Sequence, residues 1–161
     1  MLATCKGLLN RLTEHKFESL STKLCRAVMD LDPIMLERFV RVLYEKAISE
    51  PSYCAMYSTL CVRLNDALRR GAGASAESAN TPFRQALLAL CQQHFEGKLV
   101  DSVDLQLLQT YLTPEEITQR ANRRRFGNLH IIAALFVKRF MPEKVVHECI
   151  QRLLRDCLRS P

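Results

Sequence analysis

Apolar residues recur at every third or fourth position along most of the chain, which is the spacing that places them on one face of an α-helix. The sequence contains only 5 glycines and 6 prolines, a scarcity that favours helices over a turn-rich β-sandwich. We therefore predict an all-α fold of seven helices. In order, they run from about Leu2 to Leu12, from Thr13 through Val28, from Asp32 to Ile48, from Pro51 to Arg70, from Thr81 to Glu96, from Thr113 to Phe140 and from Pro142 to Leu158.

Capping residues support several of these helix starts. The run TPEE at 113–116 combines a capping box with proline in the first turn, which is a strong start signal. Asp32 and Thr81 each precede a proline in the same way, and Thr13 is expected to cap the second helix. A further short helix is predicted from Val103 to Tyr111.

Short connections between amphipathic helices predict antiparallel helix hairpins that stack side by side in a solenoid. The sixth helix is apolar on every side from Leu129 to Val137, so we expect this stretch to lie between two layers. Gly127 inside that helix should cost about 1 kcal/mol relative to alanine. A close approach of another helix, or a kink, would explain the glycine.

Length and composition limit the class of protein. The 161 residues are enough for one domain with a sizeable core. The longest apolar run, from Ile131 to Val137, is too short to cross a bilayer, and the N-terminus lacks the pattern of a secretory signal, so we expect no membrane association. The spacing of the seven cysteines suggests packing residues rather than bridged pairs, which indicates a reducing compartment such as the cytoplasm.

The sequence offers only weak patterns for catalysis or metal binding. Cys91 with His94, and His147 with Cys149, could form halves of a zinc site, but their spacing matches no established zinc motif. The sequence contains no phosphate-binding glycine loop and no nucleophile elbow. We therefore predict a protein that is not an enzyme and that has no metal, no cofactor and no small-molecule substrate.

The net charge of +6 is concentrated in one part of the chain. Between Ile117 and Pro142 the sequence has six basic residues and no Asp or Glu. One interpretation is a solvated helix face paired with nearby carboxylates; the other is a contact with RNA phosphates or with an acidic partner. The candidate RNA-binding residues are Arg120, Arg123, Arg124, Arg125, Lys138 and Arg139.

Four blocks of sequence, in order, resemble the middle domain of eukaryotic translation initiation factor 4 gamma. They are LLNRLTEHKF (Leu8 to Phe17), LYEKAISEPSYCAMYSTLCVRL (Leu43 to Leu64), FRQALLALCQQHFE (Phe83 to Glu96), and RRRFGNLHIIAALF with VVHECIQRLL (Arg123 to Leu154). The resemblance implies a HEAT-type α-solenoid of antiparallel hairpins. Residues 1–161 would form a single helical-repeat domain of about three and a half hairpins, the N-terminal part of the family's crescent of five. Ala133-Ala134 departs from the family, which has Gly-Glu there.

The resemblance also implies a function. In the family this domain is a translation initiation scaffold that binds and stimulates the DEAD-box RNA helicase of the cap-binding complex, and it can contact RNA. The residues of the opening motif implied in helicase docking are Leu9, Asn10, Leu12, Thr13 and Phe17. Periodicity alone would place the two leucines and Phe17 in the core. An RNA-binding module, or a scaffold of mRNA decay or of poly(A)-binding protein, is the alternative.

Overall fold

The computed structural model describes residues 1–72, 80–96 and 111–159, with side chains up to residue 155. Within these ranges the regular structure is helical and contains no strand, which confirms the all-α prediction. Short 3₁₀ turns lie at Glu14–Lys16 and Pro51–Tyr53. The α-helices are α1 (Leu2–Asn10), α2 (Phe17–Met29), α3 (Pro33–Ser49), α4 (Cys54–Gly71), α5 (Pro82–Phe95), α6 (Pro114–Val137) and α7 (Glu143–Arg159).

The helices form two layers, as in a helical solenoid. Helix α3 packs between α1 and α5 in one layer, and α4 packs between α2 and α6 in the other. Contacts of α1 with α2, α3 with α4, and α5 with α6 join the layers, and α7 packs on α6. Since consecutive helices from α1 to α6 lie in alternate layers, the described chain builds successive hairpins, as the sequence predicts.

Three of the predicted helix starts have the expected caps. The side chains of Asp32 and Thr81 accept hydrogen bonds from backbone N–H groups in the first turns of α3 and α5. Thr113 and Glu116 form the complete capping box of α6. The prediction for Thr13 is wrong, because the 3₁₀ turn from Glu14 to Lys16 separates it from α2 and its side chain caps neither helix.

Two helices end earlier than predicted. Helix α1 ends at Asn10 instead of Leu12, and α6 ends at Val137 instead of Phe140. At the end of α6, Arg139 adopts a φ of 57°, and the N–H of Phe140 donates a hydrogen bond to the carbonyl of Leu135. This arrangement caps the helix at its C-terminus. The short helix predicted from Val103 to Tyr111 lies, up to residue 110, outside the described residues.

Large aromatic and aliphatic side chains fill the space between the layers, among them Tyr44, Tyr57, Phe39 and Phe83, all nearly or fully buried. Five of the six described cysteines are also buried, and none of the six forms a disulfide. Burial raises the pKa of their thiols, that of Cys61 to about 12. The prediction that these cysteines pack as small apolar groups is confirmed for the described residues.

Helix α6 is only partly enclosed, so the prediction that it lies between two layers is wrong for the described residues. Its buried face consists of Gly127, Asn128, Ile131, Ile132 and Leu135, which pack toward α3, α4 and α5. The opposite face is open. Gly127 marks the closest approach, since a Cβ there would lie 2.8 Å from the carbonyl carbon of Ile48 and closer still to its oxygen. The predicted close helix approach is confirmed.

Candidate functional site

The turn between α1 and α2 is the first candidate surface, because it contains the motif that resembles the helicase-docking motif. Leu9 and Leu12 are 0% and 7% exposed and belong to the core, as the periodicity suggested. The side chains of Asn10 and Thr13 are exposed and form no hydrogen bond within the described residues. The two leucines therefore anchor the turn, and the polar residues form its outer surface, which we call the hairpin tip.

Phe17, at the start of α2, is half-buried beneath an ion pair that the sequence analysis missed. The Arg63 guanidinium on α4 lies 4.8 Å from the Phe17 ring centroid and donates to both carboxylate oxygens of Glu18, at 2.6 and 2.7 Å. The hydrogen bond from Arg63 lowers the pKa of Glu18. Because Arg63 lies more than 40 residues from its partners in the sequence, no local signal indicates this contact.

The basic segment of α6 does not act as one cluster. Arg120, Arg123 and Arg125 are exposed and have no carboxylate partner among the described residues. Arg124 instead donates to Glu45 on α3, at 2.8 and 2.9 Å. Lys138 and Arg139 are exposed beyond the other end of the helix, about 20 Å from Arg125 at 1.5 Å per residue. The structure thus brings together at most half of the predicted RNA-binding set.

A buried polar network lies beneath this basic segment. The Tyr44 hydroxyl donates to Asn128 Oδ1 at 3.0 Å, and Asn128 Nδ2 donates to the Cys91 carbonyl at 3.1 Å. These two bonds join α3, α6 and α5, and burial raises the pKa of Tyr44 above its ordinary value. Together with the buried apolar face of α6, these bonds hold the helix in the orientation that leaves Arg123 and Arg125 exposed. In the sequence, the network is indicated only by Asn128, a polar residue directly after Gly127.

His94 lies beside this network, in surroundings that disfavour its charged form. Burial, and then the charges of Arg124 and Arg125, lower its pKa to about 4. Its ring packs edge-on against Tyr44, with centroids 6.0 Å apart, and its Nδ1 atom has no hydrogen-bond partner among the described groups. Across the described ranges, no group of three or more His, Cys, Asp or Glu side chains could hold a metal ion. None of the described helices is long and apolar enough to span a membrane.

Comparisons with known proteins agree with this architecture. The sequence profile of the MIF4G domain matches residues 2–161. Eukaryotic translation initiation factor 4G of Arabidopsis thaliana is 31% identical over 156 residues, which cover 92% of this chain and 9% of the plant protein. Eukaryotic translation initiation factor 4 gamma 2 of Homo sapiens is 32% identical over 158 residues, which cover 92% of this chain and 17% of the human protein. The chain therefore spans less than a fifth of these relatives.

A solved structure supports the fold. The crystal structure of the MIF4G domain of the Trypanosoma cruzi translation initiation factor EIF4G5 superimposes with a TM-score of 0.63 at 22% sequence identity. The match covers 92% of this chain and 64% of that chain. At this identity the likeness supports the helical-solenoid fold alone, and the surfaces must be judged from the residues of this chain.

Proposed function

The chain belongs to the MIF4G domain family, and on that premise we propose that it is a non-catalytic scaffold of translation initiation that binds and stimulates a DEAD-box RNA helicase. The observation that carries this proposal is the hairpin tip, where the side chains of Asn10 and Thr13 are exposed and form no hydrogen bond within the described residues. Both residues belong to the motif that resembles the docking motif of the family. The site of action would be the cytoplasm.

The other three residues of that motif would contribute in different ways. Leu9 and Leu12 are buried, so they would hold the hairpin tip in position without touching the helicase. Phe17 is half-buried and keeps part of its ring accessible beside Arg63. A partner that reaches Asn10 and Thr13 would meet polar groups first, with the edge of Phe17 as an apolar contact.

Calorimetric titration with the C-terminal lobe of the initiation helicase tests the proposal. The double change Asn10→Ala and Thr13→Ala should weaken binding by about 1–2 kcal/mol, as expected for lost interfacial hydrogen bonds. The melting temperature should not change, because neither side chain stabilises the fold. Asn122→Ala, which removes an exposed amide from α6, is the matched control.

Unchanged helicase affinity in the double variant would refute docking through the hairpin tip. Weaker binding in Asn122→Ala would move the contact to α6. A pulldown from cell extract that recovers mRNA-decay factors or poly(A)-binding protein without an initiation helicase would favour the alternative scaffold role.

RNA binding is a second candidate function, supported by the exposed cations of α6. Arg123 and Arg125 are accessible and have no acidic partner among the described residues, so both are free to contact phosphates. Replacing both with Ala should reduce the slope of log affinity against log salt by about 1.4 for single-stranded RNA, at about 0.7 for each lost contact. The matched control is the double variant Lys23→Ala with Arg26→Ala, which removes the same charge from the exposed surface of α2. An equal effect in this control would mean that only net charge matters.

A further inference from the structure

Helix α6 has a second apolar stripe on the side that faces away from the core. Its members follow the spacing i, i+3, i+7, i+10 and i+11, which is the spacing by which a helix buries one side against another helix. Phe126, Phe136 and Val137 are 64%, 40% and 77% exposed, and the two positions between them are small or half-buried. The stripe consists of Phe126, Leu129, Ala133, Phe136 and Val137.

We call the stripe, together with the cavity at its Phe126 end, a groove. The cavity has a volume of about 220 Å³ and is lined by Phe95, Phe126, Leu129 and Leu153, together with four polar side chains, Arg125 among them. Leu153 reaches this cavity from α7, and the neighbouring Leu154 is largely exposed. The cavity provides a pocket for one large apolar side chain, and the stripe beyond it provides a track for more.

Charge selects among the molecules that could occupy this groove. Cations lie at both ends of the stripe, with Arg123 and Arg125 at one end and Lys138 and Arg139, just beyond the end of α6, at the other. The sequence from Ile117 to Pro142 contains no acidic residue. A second copy of the chain would bring the same cations into the contact and would be repelled. An acidic occupant would be attracted.

We propose that this groove, which we call the α6 groove, binds an amphipathic helix of a partner protein that has an apolar stripe and acidic flanks. From Phe126 to Val137 the stripe extends about 17 Å, so the partner helix needs about three turns. One large apolar residue enters the cavity beside Leu129 and Leu153, and carboxylates at the ends of the helix meet the arginines and Lys138. This proposal does not depend on helicase docking, since the hairpin tip lies on a different part of the chain.

Fluorescence anisotropy with labelled synthetic peptides tests the proposal. The probe is a peptide of about 18 residues, long enough for five helical turns, with leucine in an i, i+3, i+4, i+7 stripe and glutamate elsewhere. The matched probe has lysine in place of every glutamate. The full chain should bind the acidic peptide and not the basic one. Phe126→Ala should weaken binding about 10- to 30-fold, because it removes an aromatic wall of the pocket that receives the peptide's apolar side chain.

Two variants control for nonspecific effects. Tyr53→Ala removes an exposed aromatic ring outside the groove and should leave the affinity unchanged. Arg123→Ala with Arg125→Ala should weaken the acidic peptide several-fold and reduce its salt dependence. Because Phe126 is mostly exposed, its truncation should leave the melting temperature unchanged, so weaker binding cannot be attributed to unfolding.

Four outcomes would overturn the proposal. Equal binding of the basic peptide would show that charge does not select the occupant, and equal effects of Phe126→Ala and Tyr53→Ala would place the contact elsewhere. Dimers in sedimentation that disappear in Phe126→Ala would identify a second copy as the occupant. A large gain in peptide affinity when residues 97–110 are replaced by a glycine–serine linker would identify that segment of the same chain as the occupant.

Discussion

Substituting Gly127 with alanine tests the central packing contact of the molecule. An added Cβ at this position would lie 2.8 Å from the carbonyl carbon of Ile48 and closer still to its oxygen. These are backbone atoms of α3, so no side chain can rotate to make room. The clash can be relieved only if α6 moves away from α3.

The size of the expected stability change follows from one stabilising and two destabilising effects. Alanine should favour the helix by about 1 kcal/mol over glycine. Overpacking against α3 should cost about 1–3 kcal/mol. Displacing α6 also strains or breaks the buried hydrogen bonds that Asn128 makes with Tyr44 and with the Cys91 carbonyl, which adds about 1–3 kcal/mol. These effects together span a loss of about 1–5 kcal/mol, so we expect Gly127→Ala to lower the free energy of unfolding by about 3 kcal/mol, the middle of that range.

The chain supplies a matched control for this experiment. Gly7 lies inside α1, and a Cβ there would meet no atom within 4 Å. Gly7→Ala should therefore show the helix preference alone and raise stability by about 0.5–1 kcal/mol. In thermal melts followed by circular dichroism, Gly127→Ala should lower the melting temperature by about 5–15 °C, whereas Gly7→Ala should raise it slightly.

Both substitutions make the same chemical change, so the difference between them isolates the contact with Ile48. If Gly127→Ala were as stable as the parent or more stable, α6 and α3 would not approach as closely as the structure shows. If both variants were destabilised equally, glycine would be needed in these helices for a reason unrelated to packing.

Three further predictions address the core and its pH dependence. Leu12→Ala should lower the free energy of unfolding by about 2–5 kcal/mol, because it leaves a cavity. Helicase affinity should fall only as far as the protein unfolds, which thermal melts paired with titrations would show. Tyr44→Phe should cost about 1–2 kcal/mol in urea denaturation, because Asn128 Oδ1 loses its donor. The pKa of His94 is lowered to about 4, so the unfolded chain binds more protons below pH 6.5 and stability should fall as the pH decreases toward 4. His94→Phe should reduce that dependence in denaturation series between pH 7 and about 4.

The helices and their starts could be predicted because they depend on neighbouring residues. The cap at Thr113 and the repeating apolar positions are visible within one or two turns, and both agree with the structure. The error at Thr13 has a local cause as well, since a 3₁₀ turn delays the start of α2 and leaves the threonine outside it. Helix ends were less predictable, because Arg139 ends α6 through a backbone conformation that its residue type does not favour.

The contacts between helices could not be predicted in the same way. The sequence showed that α6 is apolar on every side near Leu135, and it did not show which side meets α3, α4 and α5. Each layer is assembled from helices far apart in the chain, so the open side with Phe126 and Phe136 emerges only from the assembled fold. The same applies to the ion pair of Arg63 with Glu18 across two helices.

The three consecutive arginines at positions 123–125 show why variants must be chosen from the assembled fold and not from the sequence alone. Arg124 precedes Gly127, Asn128 and Ile131 by three, four and seven positions, so helical geometry places it on the core-facing side, where it pairs with Glu45. Arg123 and Arg125 lie on other sides of the helix and are exposed. Replacing all three together would mix a loss of stability with a loss of ligand contact. Arg124→Ala alone should lower stability by about 0.5–1 kcal/mol, a modest value because the pair is partly exposed.

The single variants separate these roles. Arg123→Ala and Arg125→Ala should keep the parent's melting temperature and lose affinity for RNA or for an acidic peptide. Arg124→Ala should lower the melting temperature and leave both affinities unchanged. Glu45→Gln should reproduce the stability loss of Arg124→Ala, and the two changes combined should cost little more than either alone, since they remove the same interaction. Additive losses in this double-mutant cycle would show that Arg124 and Glu45 stabilise the fold independently, and the assignment of Arg124 to the α3 contact would fail.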